Sequence, residues 1–244
     1  MGVNKMSQHE NIEITSERHG LLVEGREIFR VPFPEETICY VGKYENRILI
    51  AADYNCCPPG TVYSIGKDES TSRNEYELKE VYATGLPVTA LMLTTSGILT
   101  VGHGCYSGVR LTKRDGTRLD IIDEETYKSL RRAEHTLPYG GGLEPRLKLD
   151  GDTIVLQLEL IERVPNKKLL ESYKHEKSVG KNPFPINALE HPTDTHTNKG
   201  VVEQVNLTKL LENIGVTTQN IPPLEIVYDS IEELLQKIKR QQNI

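Results

Sequence analysis

Ile48 to Asp68 reads ILIAADYNCCPPGTVYSIGKD, and Ile98 to Asp115 reads ILTVGHGCYSGVRLTKRD. Each stretch carries an apolar run, a loop of Gly and Cys, a second run opened by Gly, and a polar turn ending in Asp. The copies are offset by 50 residues at Ile48/Ile98 and by 47 at Asp68/Asp115. Large and β-branched apolar residues suit a pleated, half-buried surface, and Gly and Pro suit the turns between such runs. Each copy therefore reads as a strand–loop–strand unit. Recurrence at this spacing marks an array of similar hairpins, and the two units are expected in one sheet system. The echo also places Cys56 and Cys57 in a loop matching the one that holds His103 and Cys105.

Outward from the echo, the same pattern continues. Leu21-Leu22-Val23, then Glu24-Gly25, then Ile28 to Val31 reads as a short hairpin, stopped by Pro32 and Pro34, which cannot donate to a ladder. Strands are expected at 38–41, 48–53, 62–65, 76–82, 88–94 and 98–101. Val109 to Lys113 and Thr117 to Ile122 flank Arg114-Asp115-Gly116, a three-residue hairpin loop with Gly at its end. Arg146 to Leu149 and Asp152 to Ile161 flank Asp150-Gly151, which suits a type I′ turn with both central residues at positive φ. That register pairs Leu147 with Ile154 and sets Leu147, Ile154, Leu156, Leu158 and Leu160 on one face. A short helix is expected near 123–132.

The chain has 244 residues, 37% of them hydrophobic and 26% charged, an ordinary globular composition. Its net charge of -6 argues against nucleic acid or an anionic membrane surface as the main partner. With 11 Tyr, 3 Phe and no Trp, any stacking site would rest on Tyr. The start, MGVNKMSQHENIE, is polar and lacks the apolar segment of a secretory signal. Met6 stands where a myristoylation pattern needs Ser or Thr. No run approaches the roughly 18 apolar residues of a membrane helix. The four cysteines, Cys39, Cys56, Cys57 and Cys105, are then expected as thiols in a reducing cytoplasm.

The organisation expected from these signals is a flexible arm over 1–18, an antiparallel β domain over 19–161, a long polar loop over 162–205, and a helix–strand–helix element over 206–244. Within the polar stretch, Lys167 to Tyr173 suits a short helix. Asn206 can cap a helix with Leu207, Leu210, Leu211 and Ile214 on one stripe, ended by Gly215 in the left-handed conformation. A strand is expected at 224–227. Ser230 to Glu233 is a capping box opening a helix over 230–241, which either docks on its own chain or serves a protein partner or a homo-oligomer.

Candidate chemistry is sparse. The Gly-rich run from Gly102 to Gly108 lies between two strands and opens no helix, so it lacks the helix N-terminus that receives phosphate. His191, Asp194 and His196, with Lys199 near by, place two imidazoles and a carboxylate within six residues, which suits a divalent metal or an acid–base pair. The same residues read more simply as a solvated polar loop. Tyr173, Lys174 and His175 could meet an anionic ligand, or form a solvated charge run. Cys56 and Cys57, with His103 and Cys105, suit either a binding site or packed thiols beside Pro58-Pro59-Gly60. There is no nucleophile elbow, HExxH, EF-hand loop or CxxC pair, and no cofactor is expected beyond a divalent metal on the alternative reading.

Residues 88–116, VTALMLTTSGILTVGHGCYSGVRLTKRDG, resemble one blade of a β-propeller of the WD40 or quinoprotein type, and 38–70 resemble the second half of another. The resemblance lacks the Gly-His and Trp-Asp signature at blade ends. It implies a scaffold and transfers no active-site residue. The span 20–161 holds about three blades at the usual period, fewer than a closed ring requires. The fold class expected is therefore mainly β, an antiparallel hairpin array that is propeller-like or a curved sheet or sandwich, with a smaller C-terminal α/β segment. The function expected is that of a binding or interaction protein. The alternative is a hydrolase or nucleic-acid-processing enzyme using His191, Asp194, His196 and Lys199.

Overall fold

Turn chemistry builds the first sheet. The structure, a computed structural model, describes residues 14–16, 19–54, 60–67, 76–102, 106–132, 141–181 and 195–228. Strands β1 (Ile14–Ser16), β2 (Gly20–Val23) and β3 (Arg26–Arg30) form a three-stranded antiparallel sheet in that order. Val23 pairs with Arg26, and the two loop residues both have positive φ, 50° at Glu24 and 73° at Gly25. That is the type I′ geometry whose twist matches the strands. Glu24 carries a Cβ in the left-handed region, which Asn tolerates better. Glu24→Asn is expected to raise stability by about 0.5 kcal/mol, read as the midpoint of urea unfolding. Within the span 1–18, residues 14–16 form β1: Ile14 pairs with Val23 and Ser16 with Leu21.

Four strands then follow as a meander, each hydrogen-bonded to the next: β4 (Glu36–Lys43), β5 (Arg47–Tyr54), β6 (Thr61–Lys67) and β7 (Tyr76–Ala83). Late in the chain β15 (Glu225–Tyr228) joins β4, completing a five-stranded antiparallel sheet. From Ile48 to Ala52 every residue of β5 is buried, so this strand is covered on both faces. Ile38, Val41, Ile48, Ile50, Tyr63 and Ile65 pack with Leu21, Val23 and Val31 into one core.

A second meander comprises β8 (Ala90–Thr94), β9 (Gly97–Gly102), β10 (Gly108–Thr112) and β11 (Arg118–Ile122). The three-residue loop forms as its sequence asks. Lys113 N–H donates to Thr117 O, Gly116 N–H donates to Lys113 O, and Gly116 has φ 83°. Helix α1 (Glu124–Leu130) starts at Asp123, whose carboxylate accepts from Thr126 N–H at 2.8 Å. That bond holds the Asp123 carboxyl below the ordinary carboxylate value.

The last sheet is three-stranded, β12 (Gly141–Asp150), β13 (Thr153–Val164) and β14 (Thr195–Asn206), in that order. Helix α2 (Lys167–Ser178) connects to the stretch before β14, and α3 (Leu207–Asn213) follows β14 directly. Asn206 caps α3 by accepting from Lys209 N–H at 2.8 Å. At its end Gly215, at φ 75°, donates to Glu212 O while Val216 N–H donates to Leu211 O. This is the Schellman arrangement, with Val216 and Leu211 both in the core. Leu143, Ile154, Leu156, Leu158, Leu160, Leu207 and Leu211 share that core with Val109, Leu111 and Tyr127.

The expected antiparallel, mainly β class with a smaller α/β segment holds. Four features differ from expectation. The echo hairpins β5–β6 and β9–β10 lie in different sheets rather than one sheet system, because a local strand–loop–strand signal fixes a hairpin but not its wider partners. The chain forms two compact units, one with β1 to β7 and β15, the other from Leu86 to Ile221 with β8 to β14 and the helices, a partition unlike that read from the sequence. The expected loop over 162–205 is, in its described parts, the end of β13, α2 and the long strand β14. Finally, Asp150 pairs with Thr153, so the β12–β13 turn is Gly151-Asp152. Gly151 has φ 59° and Asp152 is not at positive φ, which is the type II′ pattern with Gly first. Leu147 therefore pairs with Leu156 rather than Ile154. The expected helix over 230–241 lies outside the described residues.

Candidate functional site

The side of β13 facing away from the core carries a polar cluster. Side chains alternate across a strand, so the Leu set at 154–160 and the set Gln157, Glu159 fall on opposite faces. Glu159 is 9% exposed as a residue. On the neighbouring strand Glu144 sits directly opposite it, a like-charge pair that would be unfavourable alone. Arg146 resolves it, donating from Nη2 to Glu144 Oε1 at 2.9 Å and from Nε to Glu159 Oε2 at 3.2 Å. Lys148 Nζ reaches Glu159 Oε1 at 3.3 Å, and Asn198 Nδ2 of β14 donates to Glu159 Oε2 at 2.9 Å.

Burial pushes the Glu159 carboxyl up, but Asn198, Lys148 and Arg146 outweigh it and hold the group below its ordinary value. It is an ionised, fully engaged acceptor. A lowered folded-state pKa contributes stability above the unfolded value that is lost as pH falls through the folded one. Glu159→Gln is expected to cost about 1 kcal/mol near neutral pH, discounted for the half-exposed cations. The difference from the native protein should shrink below pH 4.5, the group's ordinary value. Urea titrations across pH check this; a cost independent of pH would show that the charge of Glu159 is not what the cluster uses.

The residues picked out from sequence fall partly on β14 and α2 and partly outside the described residues. Lys199 is on β14 and pairs with Glu162 at 2.6 Å. His196 lies on the same strand, its backbone in register with Arg163. His191 and Asp194 lie outside the described residues. Among the described residues no group of three or more His, Cys, Asp or Glu could hold a metal. Tyr173, Lys174 and His175 are on α2, Tyr173 half-buried and the other two exposed. The Lys177 ammonium stands 5.9 Å from the Tyr173 ring centroid, within cation–π range on the same helix. Cys56, Cys57, His103 and Cys105 lie outside the described residues, and the two echo loops belong to hairpins in different sheets. Cys39 is described, and it is buried, its Sγ donating to Ala51 O at 3.4 Å. Burial drives that thiol far up, against thiolate chemistry.

What sequence reading missed is β14 and the Glu159 cluster. The signal was present in part: Arg146 and Lys148 alternate on one strand as Gln157 and Glu159 do on the next. The Asn198 partner depends on β14, whose THTNKG start shows no apolar alternation.

Comparison with known proteins returns no match, neither a family model nor a curated protein nor a solved structure.

The strand β14 is the other distinctive element. It closes the order β12-β13-β14, so its outer row of backbone groups has no strand beside it among the described residues. All residues from 197 to 204 are exposed, with Val201 at 47% and Val202 at 39%. An open edge of this length is a template for another strand.

Proposed function

We propose that the chain is a binding protein whose β scaffold presents the β14 edge to an extended segment of polypeptide. The observation that carries this reading is the unbroken exposure of residues 197 to 204 on an end strand twelve residues long. Strand addition of this kind draws affinity from main-chain hydrogen bonds and specificity from alternate side chains. The Glu159 cluster behind the edge supports it: each carboxylate there has a cation, and Asn198 ties β14 to β13. Such a network fixes a surface rather than moving protons. The two meanders β4–β7 and β8–β11 are what propeller-like blades would supply, and a reducing, cytoplasmic setting suits the buried Cys39. No helix among the described residues is long and apolar enough to cross a membrane.

The test is selection from a library of unstructured peptides, followed by amide hydrogen exchange. Selected segments should slow exchange over 197–204 and lose binding to the Val202→Pro variant, since proline cannot take part in a new ladder. Segments that protect another surface would overturn the reading. So would the absence of any binder together with stoichiometric divalent metal that is lost in a His191→Ala/His196→Ala double variant, a result that favours the enzyme alternative.

A further inference from the structure

We infer that the occupant of the β14 edge is a second copy of this chain, paired antiparallel about a two-fold axis at Val201. This rests on the edge-binding reading above and names the partner. Antiparallel pairing of identical strands sets residues that add to a constant against each other, and the side chains of β14 single out one centre. With Val201 on the axis, Lys199 falls opposite the partner's Glu203, and Glu203 falls opposite the partner's Lys199. Opposite charges directly across a strand pair are favourable, and the symmetry makes the contact twice. Moving the centre by one residue toward either end of the strand breaks this match.

The faces agree as well. Lys199 bonds Glu162, which shares a face of β13 with Leu158, and Leu158 is the residue opposite Glu203. Lys199 and Glu203 therefore lie on the same face, as a cross-strand pair requires. Val201 meets its own copy on the other face, where it is half-exposed in the free chain.

Bulges normally spoil an edge for pairing. Those of β14 lie on either side of Val201. Between Ile161↔Asn198 and Glu159↔Val201 the strand carries Lys199 and Gly200 against a single residue, and between Glu159↔Val201 and Leu158↔Glu203 it carries Val202 as an extra. Gly200 takes φ 96°. The two-fold at Val201 sets Gly200 against the partner's Val202, so kink meets kink. In this arrangement the bulges of the two strands face each other, so neither kink meets a straight stretch of its partner.

The experiment is sedimentation equilibrium of the full chain over a wide concentration range. The native protein should approach twice its 27.5 kDa. Glu203→Lys, and separately Lys199→Glu, should each weaken the dimer by roughly tenfold or more, because each turns two attractions into two repulsions. The Lys199→Glu/Glu203→Lys double variant should regain native dimerisation. Circular dichroism confirms that each variant is folded. Should Lys199→Glu be unstable through loss of its bond to Glu162, Val201→Lys, which sets like charges together on the axis, replaces it. A native dimer indifferent to Glu203→Lys, or a double variant that stays monomeric, overturns the inference. A monomeric native protein that still takes library segments on 197–204 overturns self-pairing and leaves the proposed function standing; a monomer that takes none overturns both.

Discussion

Gly97→Ala should be among the most damaging single substitutions in the second unit, costing about 3 kcal/mol or more. Gly97 opens β9 after the Thr95-Ser96 turn, at φ 146°. A Cβ there would stand 2.3 Å from Thr112 O and 2.9 Å from Lys113 Cα. Both are backbone atoms of the adjoining strand and loop, so no side chain can swing aside to make room. Relief requires moving β9 away from β10, where Ile98 pairs with Thr112. Ile98, Leu99 and Val101 follow in the same strand and are fully buried, so any movement also loosens packing. Gly151→Ala separates the two causes. Gly151 shares a positive φ, 59°, but a Cβ there meets nothing within 4 Å. It should cost only the backbone strain, about 1 kcal/mol. Thermal unfolding should place Gly97→Ala roughly 10 °C below native and well below Gly151→Ala. Equal losses at the two positions would mean that the close approach of β10 is not what demands glycine at 97.

How far such features were legible depends on how local their causes are. The Arg114-Asp115-Gly116 loop, the Asn206 cap and the Gly215 stop each depend on a few adjacent residues, and each formed as its sequence indicates. The Leu face of β13 was legible for a different reason. Shifting the turn from Asp150-Gly151 to Gly151-Asp152 moves every cross-strand partner by two, and a shift of two preserves the face. Leu147, Ile154, Leu156, Leu158 and Leu160 thus stay together although Leu147 changes partner. Sheet membership was not legible, because nothing in Ile48–Asp68 or Ile98–Asp115 states which strands lie beyond the hairpin. Nor was β14. Thr195 to Gly200 is polar, and it becomes a strand because β13 offers a ladder and Glu159 offers Asn198 an acceptor. The candidate site shares that limit: Lys199 was visible as a residue type, but its partner Glu162 lies 37 positions earlier in the chain. Only the register of β13 against β14 brings them together.

Leu156→Ala is the second large effect expected, about 3 kcal/mol. Leu156 has no exposed surface and lies in the middle of β13, between Leu147 on β12 and Val205 on β14. Across the core stand Leu207 and Leu211 of α3, held by the Asn206 cap at one end and the Gly215 stop at the other. A helix clamped at both ends cannot settle into the space left by the three lost side-chain heavy atoms, so the cavity stays open and its cost adds to the lost transfer energy. Leu149 supplies the comparison. It pairs with Ile154 on the same hairpin and on the same face, yet it is 46% exposed. Leu149→Ala should change stability by no more than about 0.5 kcal/mol. The two substitutions are chemically identical and differ only in depth along one face, so their difference measures the burial that α3 and the neighbouring sheet provide. Urea unfolding monitored by circular dichroism reads both. If Leu149→Ala proves as costly as Leu156→Ala, the tip of the hairpin is covered in solution, by the partner copy or by another part of the chain. If Leu156→Ala costs under about 1 kcal/mol, α3 gives way to fill the space and its two caps do not hold it in place.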